Sequence, residues 1–206
     1  MTRILIYGDS IPWGLVPASK FDRFDFDERW PGILQYKLGS NFQVIEECLC
    51  ARTIDSDDLR PGFEGRNGMA FLPTCLDSHY PIDVIIISLG LNELKSIYDW
   101  TPHQVAAKMG ALINTVKARR PNSHEYNPRI LLLSQPIVKN TGFWGELWVG
   151  SAEKSQQLFE EYEKLADELN VEFVDLSGIQ TDSKDGVHID AKGHSLVAEK
   201  LLRFLT

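Results

Sequence analysis

Five short apolar runs, at residues 4–7, 43–47, 84–88, 130–134 and 172–176, are separated by longer stretches of helical periodicity. Most of the runs are unbroken β-branched and Leu sequence without alternation, the pattern of strands covered on both faces. Between them, residues 102–119 carry Thr101 and Gln104 in capping-box spacing, Pro102 at the first helical position, and an apolar face of Val105, Met109, Leu112, Ile113 and Val116. Residues 155–169 repeat the pattern with Leu158, Tyr162, Leu165 and Leu169. Asp190 stands as the cap of a last helix that turns Val197, Leu201 and Leu205 inward. Strands alternating with helices require right-handed crossovers, so the predicted architecture is a flavodoxin-like three-layer α/β/α sandwich with a central, mostly parallel five-stranded sheet. No linker or repeat interrupts residues 1–206, which read as one domain.

Three stretches, 11–28, 55–78 and 139–150, lack a clear period and are expected to be irregular, and loops of that length are usually functional. Open α/β sheets bind ligands beyond the carboxyl ends of their strands. The residues there are therefore the ones to search for chemistry.

Composition narrows the classes. With 21 Lys plus Arg against 29 Asp plus Glu, the net charge of −8 argues against a phosphate-neutralising nucleic-acid binder, and the densest basic cluster is only Lys117, Arg119 and Arg120. Cys48, Cys50 and Cys75 fit no zinc-ligand spacing and cannot all pair with one another, so a reducing, cytoplasmic setting is expected, with no metal and no cofactor. No run approaches the ~20 apolar residues of a membrane span. Gly8 and Gly14 do not form a dinucleotide-binding fingerprint, and no phosphate-loop Lys-Ser/Thr pair follows the first strand.

Gly8-Asp9-Ser10 follows the first strand, where a serine can expose its hydroxyl at the sheet edge and offer its own N–H as a donor, although all three residues also suit an ordinary turn. After the second strand comes Ala51, small enough for its backbone N–H to approach the same point. After the third comes Asn92, whose amide can face a developing oxyanion. Near the C-terminus Asp185 precedes His188 by three residues, a spacing that lets a carboxylate orient an imidazole toward a nucleophile. Each signal has a bland counterpart, but their order along successive strand ends would gather nucleophile, oxyanion donors and base at one edge.

In that order the blocks resemble the SGNH, or GDSL, family of hydrolases. Gly8-Asp9-Ser10 is similar to its first block, Ala51 stands where the second usually has Gly, Gly90-Leu91-Asn92-Glu93 is similar to the third, and residues 185–188 to the Asp-x-x-His block. The stretches 4–13, 44–53 and 84–92, with Arg29-Trp30 and Leu72-Pro73, resemble the bacterial arylesterase and acyltransferase branch. The resemblance implies Ser10 as nucleophile, His188 as general base, Asp185 as its orienter, and Ser10 N–H, Ala51 N–H and Asn92 as oxyanion donors. Pro12 stands where relatives often have Thr, Glu93 replaces Asp, and Ala51 is acceptable provided its φ is negative.

The implied activity is hydrolysis of small aryl or alkyl carboxylic esters through an acyl-enzyme, with water as acceptor or an alcohol giving acyl transfer. Ile11, Leu15, Phe143 and Trp144 are the expected substrate contacts. Trp13 is expected to pack beneath the nucleophile turn, and the aromatic stretch 143–148 to lid the pocket or bury itself in another subunit of a homo-oligomer. A carbohydrate O-acetylesterase would use the same residues, and a non-catalytic α/β binding module remains the alternative of another class.

Overall fold

The computed structural model describes residues 1–121, 124–139 and 142–206. Its strands are β1 (Thr2–Gly8), β2 (Phe42–Cys48), β3 (Val84–Ser88), β4 (Arg129–Leu133) and β5 (Glu172–Val174). All pair in parallel in the order β2-β1-β3-β4-β5, with Ile4 opposite both Val44 and Val84. Every residue of β3 is buried, as a central strand with helices on both faces must be.

The helices are α1 (Ser10–Trp13), α2 (Trp30–Leu38), α3 (Gly68–His79), α4 (Pro102–Ala118), α5 (Ser151–Leu169) and α6 (Ala191–Leu205). Helix α2 packs with α6, and α4 packs with α3 and α5. The Thr101–Gln104 capping box forms, and the Asp190 side chain accepts from Gly193 N–H at 2.8 Å, as the sequence predicts. Their buried faces, including Val105, Leu112, Val116, Val197 and Leu201, join the strands in one core.

Two elements depart from the expectation. Helix α3 occupies the last part of the stretch 55–78 and runs on to His79; the stretch reads as irregular because Pro73 sits inside the helix and Pro is a helix breaker in sequence. Its start is set by Asn67, whose side chain accepts from Ala70 N–H at 3.2 Å, and Leu72, Cys75 and Leu76 face the core. Helix α2 begins at buried Trp30 with Pro31 in its first turn, a start the strand-by-strand pattern does not mark.

The chain order reverses beside β1, since β2 lies on one side of it and β3 on the other. That reversal leaves a crevice at the carboxyl ends of the strands.

Candidate active site

The first turn after β1 is compact for a steric reason. A Cβ on Gly8 would lie 2.3 Å from Pro12 Cγ, so α1 can fold this tightly against the strand end only with glycine there. Asp9 caps the helix, its Oδ1 accepting from Ile11 N–H at 3.0 Å. Burial pushes the Asp9 carboxyl up to about 6, against the pull of that N–H, and its second oxygen has no hydrogen-bond partner among the described residues. Asp9 thus serves the turn. Ser10 Oγ is left facing His188 Nε2 at 2.8 Å.

His188 is held from behind by Asp185, with Nδ1 3.0 Å from Oδ1 and 3.1 Å from Oδ2. The carboxylate also accepts the backbone N–H groups of Val187 and His188 on Oδ1, and Ala18 N–H and Trp144 Nε1–H on Oδ2. Burial alone would raise its pKa, but the hydrogen bond and charge of His188, with these N–H donors, hold it well below the usual carboxylate range. Asp185 is therefore ionised throughout the neutral range.

The loop after β2 brings Ala51 to the crevice at φ +64°, not with the negative φ expected for a residue bearing a Cβ. The bend is what turns the chain there, and left-handed backbone costs an alanine about 1–2 kcal/mol. Among the described residues, neither the Ser10 nor the Ala51 backbone N–H is engaged in a hydrogen bond. Asn92 opens a 3₁₀ turn (Asn92–Leu94) after β3, and one N–H of its amide is anchored on Arg52 carbonyl at 3.0 Å. Beside it Glu93, fully buried, accepts from Ile54 N–H, so two consecutive side chains brace the Ala51 loop. Burial pushes the Glu93 carboxyl up to about 7.

Ser10, Ala51, Asn92 and His188 share one cavity of about 140 Å³, walled by Leu15, Phe21, Phe63, Leu91, Trp144, Leu147 and Trp148, with Cys50, Arg60 and Lys95 completing it. Of the four expected substrate contacts, Leu15 and Trp144 line this cavity. Ile11 does not: it is 2% exposed and belongs to the core, because one residue along a helix from Ser10 points about 100° away. Phe143 also falls outside, half exposed with its ring edge-on to Trp144 at 5.0 Å. Trp13 is only partly buried and lines a neighbouring groove, under the Arg23 guanidinium at 4.8 Å.

The stretch 139–150, whose Asn140 and Thr141 lie outside the described residues, is a wall strapped to the Asp185 loop. Lys139 N–H donates to Gly186 carbonyl at 2.7 Å and Phe143 N–H to Lys184 carbonyl at 2.8 Å. Arg60, Phe63 and Lys95 escape sequence reading because the cavity is assembled from separate loops. Lys95, three residues after Asn92, is the one whose spacing offered a signal.

Cys48 and Cys50 are not competing nucleophiles at neutral pH, since burial drives the Cys48 thiol well up and the Cys50 thiol up to about 12. His194 is a core residue: its Nδ1 accepts from Trp30 N–H at 3.3 Å, and burial pushes it down to about 3. Elsewhere, Glu47, Cys75 and His79 offer ligand atoms within 4.8 Å of one another, a grouping that linear spacing hides. His79 Nε2 there pairs with Glu47 at 2.6 Å.

Comparison with known proteins agrees with this geometry. The model of the GDSL-like Lipase/Acylhydrolase family matches residues 6–196. No curated protein sequence matches the chain. Among solved structures, a carbohydrate acetylesterase family member from Sinorhizobium meliloti is similar at 35% identity and a TM-score of 0.92, over 100% of this chain and 97% of that one. An aryl esterase from M. smegmatis is similar at 34% identity and a TM-score of 0.89, over 98% and 99%. A second carbohydrate acetylesterase from S. meliloti is 32% identical, with a TM-score of 0.89, over 99% and 100%. As the four sequence blocks implied, the chain belongs to the GDSL-like lipase/acylhydrolase family and is a serine esterase of the SGNH type.

Proposed function

We propose that residues 1–206 form one hydrolase domain that cleaves small aryl or alkyl carboxylic esters with short acyl groups, through an acyl-enzyme on Ser10. The observation that carries this reading is the 2.8 Å contact from Ser10 Oγ to His188 Nε2, with the opposite ring nitrogen on the Asp185 carboxylate. His188 takes the Ser10 proton as Oγ attacks the carbonyl carbon, then returns it to the departing alcohol. Ser10 N–H, Ala51 N–H and the free N–H of Asn92 take the oxyanion. Water then attacks the acyl-enzyme by the same route in reverse, and an alcohol in its place gives a new ester.

Size supports the short acyl group. A cavity of about 140 Å³ is close to the roughly 150 Å³ that holds one benzene ring. The apolar walls disfavour a bulk-water acceptor and so favour acyl transfer.

The test is hydrolysis of p-nitrophenyl acetate, butyrate and octanoate by wild type and Ser10→Ala, with and without a small alcohol. Acetate turnover that vanishes in Ser10→Ala, with new ester when alcohol is present, is expected. Turnover that survives Ser10→Ala overturns the reading. Carbohydrate O-acetylesterase activity is the second reading, favoured by the two S. meliloti relatives, and acetylated sugars hydrolysed faster than aryl acetate would establish it.

Self-association is part of the proposal. Leu59, Ile97, Phe143 and Val149 are exposed at 92%, 51%, 52% and 67%, and each lies within two residues of a cavity-lining residue. Apolar side chains ringing a site in this way fit a contact between copies that narrows the entrance. A monomeric mass in light scattering at micromolar concentration overturns it. Among the described residues no helix is long and apolar enough to cross a membrane, and we place the enzyme in the cytoplasm.

A further inference from the structure

Two cations line the cavity without a part in ester hydrolysis, Arg60 and Lys95, and of the two Arg60 is paired with Asp58. Lys95 follows Asn92 on the same 3₁₀ turn, its backbone N–H donating to Asn92 carbonyl at 3.3 Å, so amide and ammonium enter the cavity from one short segment. The residue is 5% exposed. Among the described residues its ammonium makes no ion pair and no hydrogen bond, and it lies over the Trp148 ring, with the centroid 5.7 Å away.

The charges around it do not satisfy it. Arg60 is a like charge across the same cavity, and it occupies Asp58 in a two-pronged pair with Nε 2.8 Å from Oδ1. Glu93 and Asp9 lie near enough to be felt, but each turns one oxygen to a backbone N–H, on Ile54 and Ile11, and neither pairs with Lys95. Burial first, and Arg60 second, push the Lys95 ammonium down to about 8. A buried cation without a counter-ion costs several kcal/mol, whereas one paired with a carboxylate recovers much of that cost.

We propose that the substrate supplies the counter-ion: Lys95 binds a carboxylate on the acyl part of the ester, making half-esters of short dicarboxylic acids the preferred substrates. The inference rests on the esterase reading. The acyl side is favoured because Lys95 shares its turn with the oxyanion donor, while the small cavity leaves the alcohol to the mouth. Hydrolysis of such a half-ester consumes one water and releases the alcohol, the dicarboxylate and a proton.

The experiment compares kcat/KM for monomethyl succinate and methyl butyrate, by acid release, in wild type and Lys95→Met. Wild type is expected to prefer the charged ester by about tenfold or more, and Lys95→Met to lose that preference. Equal ratios in the two proteins overturn the proposal. Preference for acetoxyacetate over ethyl acetate, with none for monomethyl succinate, overturns the acyl assignment. A second arm needs no turnover: calorimetry of succinate against butyrate on Ser10→Ala, and on Ser10→Ala with Lys95→Met. Succinate binding that requires Lys95, with proton uptake at pH 8, is expected; binding indifferent to Lys95, or none, overturns it. Failure of every ester with retained succinate binding would reject the esterase reading and keep the anion site.

Discussion

Trp144 Nε1–H donates to Asp185 Oδ2 at 2.9 Å, so a wall of the substrate cavity is fastened to the carboxylate behind His188. Trp144→Phe keeps the ring and removes the bond. A hydrogen bond to a charged group is worth about 1.5–3 kcal/mol, and Ala18 N–H remains on the same oxygen. The expected result is a fall of about tenfold in kcat with a stability loss of about 1–2 kcal/mol, read from steady-state kinetics and urea unfolding.

Ser10→Ala should abolish nearly all turnover without changing the unfolding midpoint, and His188→Ala should abolish it with a lowered midpoint, because Asp185 loses its partner. A serine-directed phosphonate should add one label to wild type and none to Ser10→Ala, checked by intact mass. Labelling of Ser10→Ala would place the nucleophile elsewhere.

Asn92→Ala should lower kcat by about 10²–10³, the cost of one oxyanion donor. It also frees Arg52 carbonyl, so the loop holding Ala51 loosens. An unaltered kcat on p-nitrophenyl acetate would exclude Asn92 from that role.

Ala51→Gly should stabilise the protein by about 0.5–1 kcal/mol. Its φ of +64° is strained for a residue with a Cβ, and the relief exceeds the extra freedom glycine gains in the unfolded chain. Urea unfolding measures it, and a destabilised variant would show the bend to be unstrained.

The strands and the reacting groups were legible because each is written in local chemistry: unbroken β-branched runs, and Ser, Asn and Asp-x-x-His at their ends. Helix α3 was hidden by Pro73, which breaks helices in general and is accommodated here at one position. The sign of φ at Ala51 is set by where the loop must go, which residue type does not encode. Ile11 was misplaced for a similar reason, since only the helical turn decides that Ser10 faces the crevice and its neighbour the core. Lys95 gained its meaning only when distant loops enclosed it.

Stability should fall as pH rises through the window from 4.5 to about 7. Glu93 ionises at the lower value when unfolded and at the higher when folded, so the folded chain holds a proton that the unfolded chain releases there. Asp9 adds the same sign between 3.8 and about 6. Asp185 acts oppositely, its contribution present above 3.8 and lost as acid protonates it, and His194, which burial keeps neutral down to about 3, also opposes the fall, its cost below 6.5 fading as pH rises. Urea unfolding at pH 5 and pH 8 should differ by on the order of 2 kcal/mol, and Glu93→Gln should flatten that difference.

The 2.3 Å clearance between a Cβ at position 8 and the Pro12 ring makes the two positions interdependent. Replacing Gly8 while Pro12 is present forces the helix that carries Ser10 off the strand, whereas replacing Pro12 first removes the tightest contact and leaves the Ser88 carbonyl, 3.1 Å away, as the next limit. Changes to this turn therefore have an order: a library that varies position 8 alone would sample mostly dead proteins, and one that varies both together would reach new nucleophile placements.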